Sequence, residues 1–200
     1  MISQQQCQNA TVLIVDDQMT NTMLLENILQ NAGYKHVHST QDPTQVVNLY
    51  KELCPDLICL DIRMPQLNGF QVMGQLKIIQ KGHFLPILVL TSEEDRETRL
   101  RALESGAKDF LNKPFDKVEV LMRIRNLLEA SLLNKAVSQQ KAHLEETVRI
   151  RTQELRETQL EIVHRLAQAA EYRDNETGAH IVRLSHFAVV LGRACGMTES

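Results

Sequence analysis

Short apolar runs, each closed by a polar or charged residue, constrain this chain more than any other feature. They are Val12-Leu13-Ile14-Val15, Leu57-Ile58-Cys59-Leu60, Ile87-Leu88-Val89-Leu90 and Phe110-Leu111, with a weaker Lys35-His36-Val37-His38-Ser39. Strands that read as unbroken apolar runs are buried on both faces, as in a parallel sheet. Segments of helical period separate them: Asn21 to Ala32, Pro43 to Leu53, Phe70 to Gln80, Arg96 to Glu104, and one from Val118 onward. Gly33 suits the stop of the first helix, and Pro43 the first turn of the second. Strand–helix alternation with short connections predicts a doubly wound α/β domain over residues 10–130. Residues 1–9 read as a flexible tail.

From Lys117 to Tyr172 there is no proline or glycine, and Leu, Glu, Gln, Arg and Ala dominate. These are strong helix formers. One helix over this stretch would run about 80 Å, too long to bury in so small a domain. Val148, Leu155, Ile162 and Ala169 recur every seven residues, and Leu144 lies four before Val148. That pattern predicts a coiled-coil linker over residues 131–172 that pairs in parallel with a second copy, with a helical hairpin or a loose solvated helix as the alternatives. The complementary positions include Arg151, Thr158 and Arg165, so the seam is half polar. The pattern breaks at Asp174-Asn175-Glu176-Thr177-Gly178, and the apolar segment from Ile181 to Leu191 is too short for a core of its own.

The remaining composition narrows the partners. A formal net charge of -3 gives no electrostatic case for nucleic acid. No apolar stretch approaches the about 20 residues of a membrane span, and the N-terminus lacks a signal-peptide pattern. The expectation is a cytoplasmic protein with no membrane partner. Cys7, Cys54, Cys59 and Cys195 form no C-x-x-C pair and read as reduced thiols.

The strand ends carry the chemistry. The first run stops at Asp16-Asp17, the third at Asp61, the fourth at Thr91-Ser92 and the fifth at Asn112-Lys113-Pro114. In open parallel sheets the site lies beyond the carboxyl ends of the strands. With strand order 2-1-3-4-5, Asp16, Asp17 and Asp61 converge, flanked by Thr91 and Lys113. Each carboxylate pair at about 4 Å costs on the order of 4 kcal/mol at an effective dielectric near 20. Lys113 offsets part of this, and a hard cation such as Mg²⁺ the rest. A carboxylate beside Mg²⁺ and a lysine can attack a phosphoryl group and form an aspartyl-phosphate. A single acidic residue after a strand is commonly a cap or turn residue; polar groups at successive strand ends are a far more specific pattern.

These residues resemble a known family. Val12-Leu13-Ile14-Val15-Asp16-Asp17 with Asn21, then Leu60-Asp61-Ile62-Arg63-Met64-Pro65 with Asn68-Gly69, look like the opening and phosphorylation segments of a response regulator receiver domain. Leu90-Thr91-Ser92 and Ser105-Gly106-Ala107-Lys108-Asp109-Phe110-Leu111-Asn112-Lys113-Pro114-Phe115 resemble its last two strand ends. The resemblance implies a flavodoxin-like fold and a sensor histidine kinase as phosphodonor. It makes Asp61 the phosphoacceptor. Asp16, Asp17, Asp61 and the backbone carbonyl of Arg63 would hold Mg²⁺. Lys113 and Thr91 would contact the phosphoryl group, Thr91 and Phe110 would form the switch, and the Lys113-Pro114 bond would be cis.

The stretch from Leu160 to Arg183 resembles the entry to an HD-GYP domain, a family that hydrolyses cyclic di-GMP at an iron or manganese site. Glu176 and His180 match ligand positions in that family and share one face if a helix covers them. No His-Asp dipeptide and no Gly-Tyr-Pro occur in these 200 residues, so residues 173–200 would be an incomplete, non-catalytic fragment of an output domain. The resemblance implies a longer parent that acts on cyclic di-GMP. Three other functions stay open: an acidic-site phosphatase or hydrolase on the α/β domain of this chain itself, a receiver driving DNA binding, and a receiver serving only as a dimerisation scaffold.

Overall fold

The computed structural model describes residues 2–80, 84–92 and 96–173, with positions 182, 183, 185, 186 and 189. The chain divides into two units, Met1–Gln139 and Gln140–Ser200. The elements in chain order are α1 (Gln4–Gln8), β1 (Thr11–Val15), α2 (Met19–Asn31), β2 (His36–Thr40), a 3₁₀ turn (Pro43–Gln45) running into α3 (Val46–Leu53), β3 (Leu57–Asp61), α4 (Gly69–Ile79), β4 (Ile87–Thr91), α5 (Arg96–Glu104), β5 (Asp109–Asn112) and α6 (Lys117–Arg173).

The five strands form one sheet in the order β2-β1-β3-β4-β5, and every pairing is parallel. Successive side chains point to opposite faces, and both faces are covered. Val12, Ile14, Leu57, Cys59, Leu88 and Leu90 pack with Leu25 and Leu29 of α2 and with Val120, Ile124 and Leu128 of α6. Leu13, Val15, Ile58, Leu60, Ile87 and Val89 pack with Val46 of α3, Val72, Met73 and Leu76 of α4 and Ala102 of α5. This is why the central runs are unbroken. The weak run belongs to the edge strand β2, whose His36 and His38 are exposed.

The expected flexible tail is corrected by α1. Ser3 and Gln6 form a reciprocal capping box at its start. Cys7 is buried, the Gln8 Nε2 donates to the Ala32 carbonyl at 2.9 Å, and the Gln8 carbonyl accepts from the Lys35 N–H at 2.9 Å. A run of glutamines has no apolar period to announce this. Gly33, at φ +90°, is needed twice over: the left-handed backbone favours glycine, and a Cβ there would lie 2.7 Å from Gln8 Nε2.

On α6, burial ends at Ser131. Within the second unit the described helix is exposed along nearly its whole length and carries in-helix ion pairs such as Arg149–Glu146 and Arg165–Glu161. No helix among the described residues is long and apolar enough to cross a membrane.

Candidate functional site: an acidic trio at the strand ends

Register brings the acidic residues together. Val15 lies beside Leu60 in the β1–β3 pairing, so the next residue of each strand, Asp16 and Asp61, leaves the sheet side by side. One carboxylate oxygen from each of Asp16, Asp17 and Asp61 lies within 4.8 Å of the others. Asp16 is fully buried, and Asp61 and Thr91 are each 4% exposed.

The polar shell is partly complete. Lys113 Nζ lies 2.7 Å from Asp16 Oδ2 and 3.0 Å from Asp61 Oδ2. Asp16 Oδ1 accepts from the Gln18 backbone N–H and the Asn21 side-chain amide, both at 3.0 Å. The Arg63 N–H donates to Asp61 Oδ1 at 3.4 Å. Burial raises the Asp61 carboxyl above its ordinary range, the Lys113 ammonium pulls it back, and the Asp16 charge adds to the rise. Burial works against the charged form of Lys113, but its bonds to Asp16 and Asp61 outweigh that and raise it. Three carboxylates against one ammonium leave negative charge uncompensated. Asp17 Oδ1 is buried with no hydrogen-bond partner. An orphaned carboxylate oxygen in an all-oxygen cluster fits a hard divalent cation such as Mg²⁺.

Gly69 starts α4 against the end of β3: a Cβ there would lie 2.5 Å from the Asp61 carbonyl oxygen and 2.9 Å from the Ile62 Cα. Its own N–H donates to the Ile62 carbonyl at 2.9 Å, and the Asn68–Gln71 capping box fixes the first turn. At the other strand end, the Lys113 N–H donates to the Thr91 carbonyl at 2.8 Å, and the Lys113-Pro114 peptide is cis. A cleft lined by Asp17, Arg63, Asn68, Phe70 and Arg101 opens beside the trio.

Asp16, Asp17, Asp61, Thr91, Lys113 and the Arg63 backbone thus share one rim. Phe110 is half-buried on the face packed by α3, α4 and α5. Its ring lies under the Arg123 guanidinium at 5.4 Å, which also binds Asp109 at 2.6 Å and Glu119 at 2.7 Å. Glu176 and His180 lie outside the described residues. The roles of Asn21 and Gly69 were not drawn from composition or period; Asn21, five residues after Asp16 in the first turn of α2, is positioned to face back to the strand end.

Comparison with known proteins agrees with this geometry. The family model for the response regulator receiver domain matches residues 12–125. The cyclic di-GMP phosphodiesterase response regulator RpfG of Xanthomonas campestris is 33% identical over 189 residues, 94% of this chain and 50% of its own length. A Vibrio cholerae protein named "Probable cyclic di-GMP phosphodiesterase" is 29% identical over 99% of this chain and 44% of its own length. The chain therefore spans about half the length of these curated relatives. Among solved structures, the chemotaxis response regulator CheY4 of Vibrio cholerae superposes with a TM-score of 0.56 at 29% identity, covering 60% of this chain and 98% of that one. The BeF₃-activated receiver domain of DrrB gives 0.54 at 25% identity over the same shares. With the five-stranded order and the acidic rim already in place, the match over more than half of its residues means that this chain belongs to the response regulator receiver domain family.

Proposed function

We propose that Asp61 accepts a phosphoryl group from a sensor histidine kinase and that the resulting aspartyl-phosphate controls an output domain beyond the receiver. The observation that carries this reading is the crowding of Asp16, Asp17 and Asp61 within 4.8 Å, with Lys113 Nζ 3.0 Å from Asp61 Oδ2. An Asp61 oxygen attacks phosphorus, the P–N bond to the kinase imidazole breaks, and the imidazole keeps that electron pair. Lys113 moves its contact from the Asp61 carboxylate to the transferred phosphoryl oxygens, and the Thr91 hydroxyl donates to them. Asp16, Asp17, Asp61 and the Arg63 carbonyl would hold Mg²⁺, which would supply charge neutralisation for the transfer. Phosphorylation adds roughly -1.5 to -2 charges near neutral pH; Thr91 moves toward them and Phe110 repacks, biasing an equilibrium that exists beforehand.

The domain division of this reading is a receiver at 10–130, a helical linker at 131–172 through which two copies associate, and an HD-GYP-like fragment at 173–200. The output is cyclic di-GMP hydrolysis in the complete protein, with Glu176 and His180 among its iron or manganese ligands. Support for that output comes from the two phosphodiesterase relatives, which align over 94% and 99% of this chain.

Incubation with acetyl phosphate and Mg²⁺, followed by intact-mass measurement and peptide mapping, tests the receiver chemistry. The expected result is one acid-labile phosphoryl group on Asp61, lost with EDTA and in Asp61→Asn. Labelling that is absent, or that persists in Asp61→Asn, overturns the reading and leaves a scaffold.

A further inference from the structure

We infer that a second ligand site lies at the amino-terminal end of the sheet, and that it takes a small dianion carrying a planar ring, with the size and chemistry of a nucleoside monophosphate.

A cavity of about 360 Å³ opens there, at the small end of the roughly 300–1,000 Å³ of ligand pockets. Ile87, which lines it, is the first residue of β4, and Thr91, at the acidic rim, is the last. At about 3.3 Å per residue these ends lie about 13 Å apart along the strand, so the cavity and the acidic rim are separate places. Its walls come from α4, from the residues that lead into β4 and β5, and from α6.

The lining is divided by chemistry. Met73, Leu85 and Ile87 are buried and make an apolar floor. The Phe84 ring stands beside them and is 36% exposed. Lys77 and Lys108 reach the same cavity from different elements, and among the described residues neither pairs with a carboxylate. Lys108 Nζ lies instead over the Phe84 ring, 5.4 Å from its centroid. Two cations lining one cavity favour an anion between them, and a dianion more than a single charge. A ring face beside an ammonium favours a planar partner, because stacking and cation–π contact act on the same surface. A phosphate monoester on a heterocycle answers both: its phosphate meets the two lysines, and its ring covers Phe84 and the apolar floor. Inorganic phosphate leaves Phe84 and the floor unused, and an apolar ligand leaves the lysines unanswered.

The position of the cavity gives its ligand a consequence. Asn134 of α6 is part of the wall, three residues beyond Ser131, where burial on that helix ends. The next residue, Lys135, ties the helix to Asp56 at 3.4 Å, and the Asp56 carboxylate accepts the Thr11 N–H at 2.9 Å. A ligand that touches Lys77, Lys108 and Asn134 together fastens the turn at which α6 leaves the sheet, so its binding is coupled to the opening of that turn.

Isothermal titration calorimetry on the full 200-residue chain, with adenosine and guanosine monophosphate and with inorganic phosphate, tests the site. Saturable binding of a nucleotide is expected, about tenfold or more tighter than that of inorganic phosphate. Lys77→Gln/Lys108→Gln should weaken it by about tenfold or more. Lys51→Gln/Lys141→Gln removes the same charge elsewhere and should leave it within about twofold. Phe84→Leu should weaken nucleotide binding by about fivefold and leave phosphate binding unchanged. Bound nucleotide should also slow hydrogen exchange over residues 132–136. Absence of saturable nucleotide binding overturns the proposal. Equal weakening in the two lysine pairs also overturns it, since net charge alone would then attract the nucleotide. Phosphate binding as tight as nucleotide binding overturns the ring subsite, and unchanged exchange over 132–136 overturns the coupling to α6.

Discussion

Asp17→Asn isolates the electrostatic logic of the acidic rim. The substitution keeps the shape of the side chain and removes one of three negative charges lying within 4.8 Å of each other. At that separation and an effective dielectric near 20, each carboxylate pair costs about 3 kcal/mol. Asp17 is partly exposed and Lys113 offsets part of the repulsion, so the net gain after solvent screening is about 1 kcal/mol. Without divalent cation the variant should be more stable than the parent by that amount. With Mg²⁺ the order reverses. At a concentration a hundredfold above its dissociation constant, Mg²⁺ adds about 2.7 kcal/mol to the parent, and the variant, short of one ligand, gains little. Urea unfolding of the receiver in EDTA and in MgCl₂ reads both terms. If Asp17→Asn is the less stable protein in EDTA, or if Mg²⁺ stabilises both equally, the trio does not act as a repulsive cation site.

Other substitutions probe the same rim from different sides. Asp61→Asn should stabilise the Mg²⁺-free fold at neutral pH. Burial raises the Asp61 carboxyl in the folded state, so folding favours its protonated form, and stability is lost as pH rises from the ordinary carboxylate value through the raised one; the variant should lack that loss in unfolding curves recorded across the window. Lys113→Met leaves the fully buried Asp16 without its ammonium, and should cost about 2–3 kcal/mol in EDTA, less than a fully buried pair because the Asn21 and Gln18 bonds remain. An unchanged midpoint would mean that the ion pairs of Lys113 contribute nothing. Gly69→Ala forces a methyl to within 2.5 Å of the Asp61 carbonyl oxygen; the shift should cost about 1–3 kcal/mol and slow labelling by acetyl phosphate, and normal labelling with normal stability would show that the segment yields freely.

Much of this architecture was legible because the central strands leave no ambiguity. Val12 to Val15 and Leu57 to Leu60 are buried on both faces, so their sequence cannot alternate, and only a sheet sandwiched by helices accommodates them. The acidic site was legible for the same reason: once the strands are parallel neighbours, the residues that end them must share a rim. The N-terminal helix was not legible, because Gln4 to Gln8 form a helix through a capping box and a tertiary contact to Ala32, neither of which leaves a periodic trace. The place of Gly69 was equally hidden, since its importance lies in how closely α4 approaches the Asp61 backbone. The Phe110 position was readable, but not its cover, because Arg123 reaches it from α6, thirteen residues along the chain.

The most direct test of the central claim is a crystal structure of the receiver grown with Mn²⁺ and BeF₃⁻, with manganese located by its anomalous scattering. The account predicts one manganese bound by Asp16, Asp17, Asp61 and the Arg63 carbonyl, beryllium bonded to Asp61, and Lys113 turned onto a fluoride. Manganese bound elsewhere, or beryllium absent from Asp61, would contradict it.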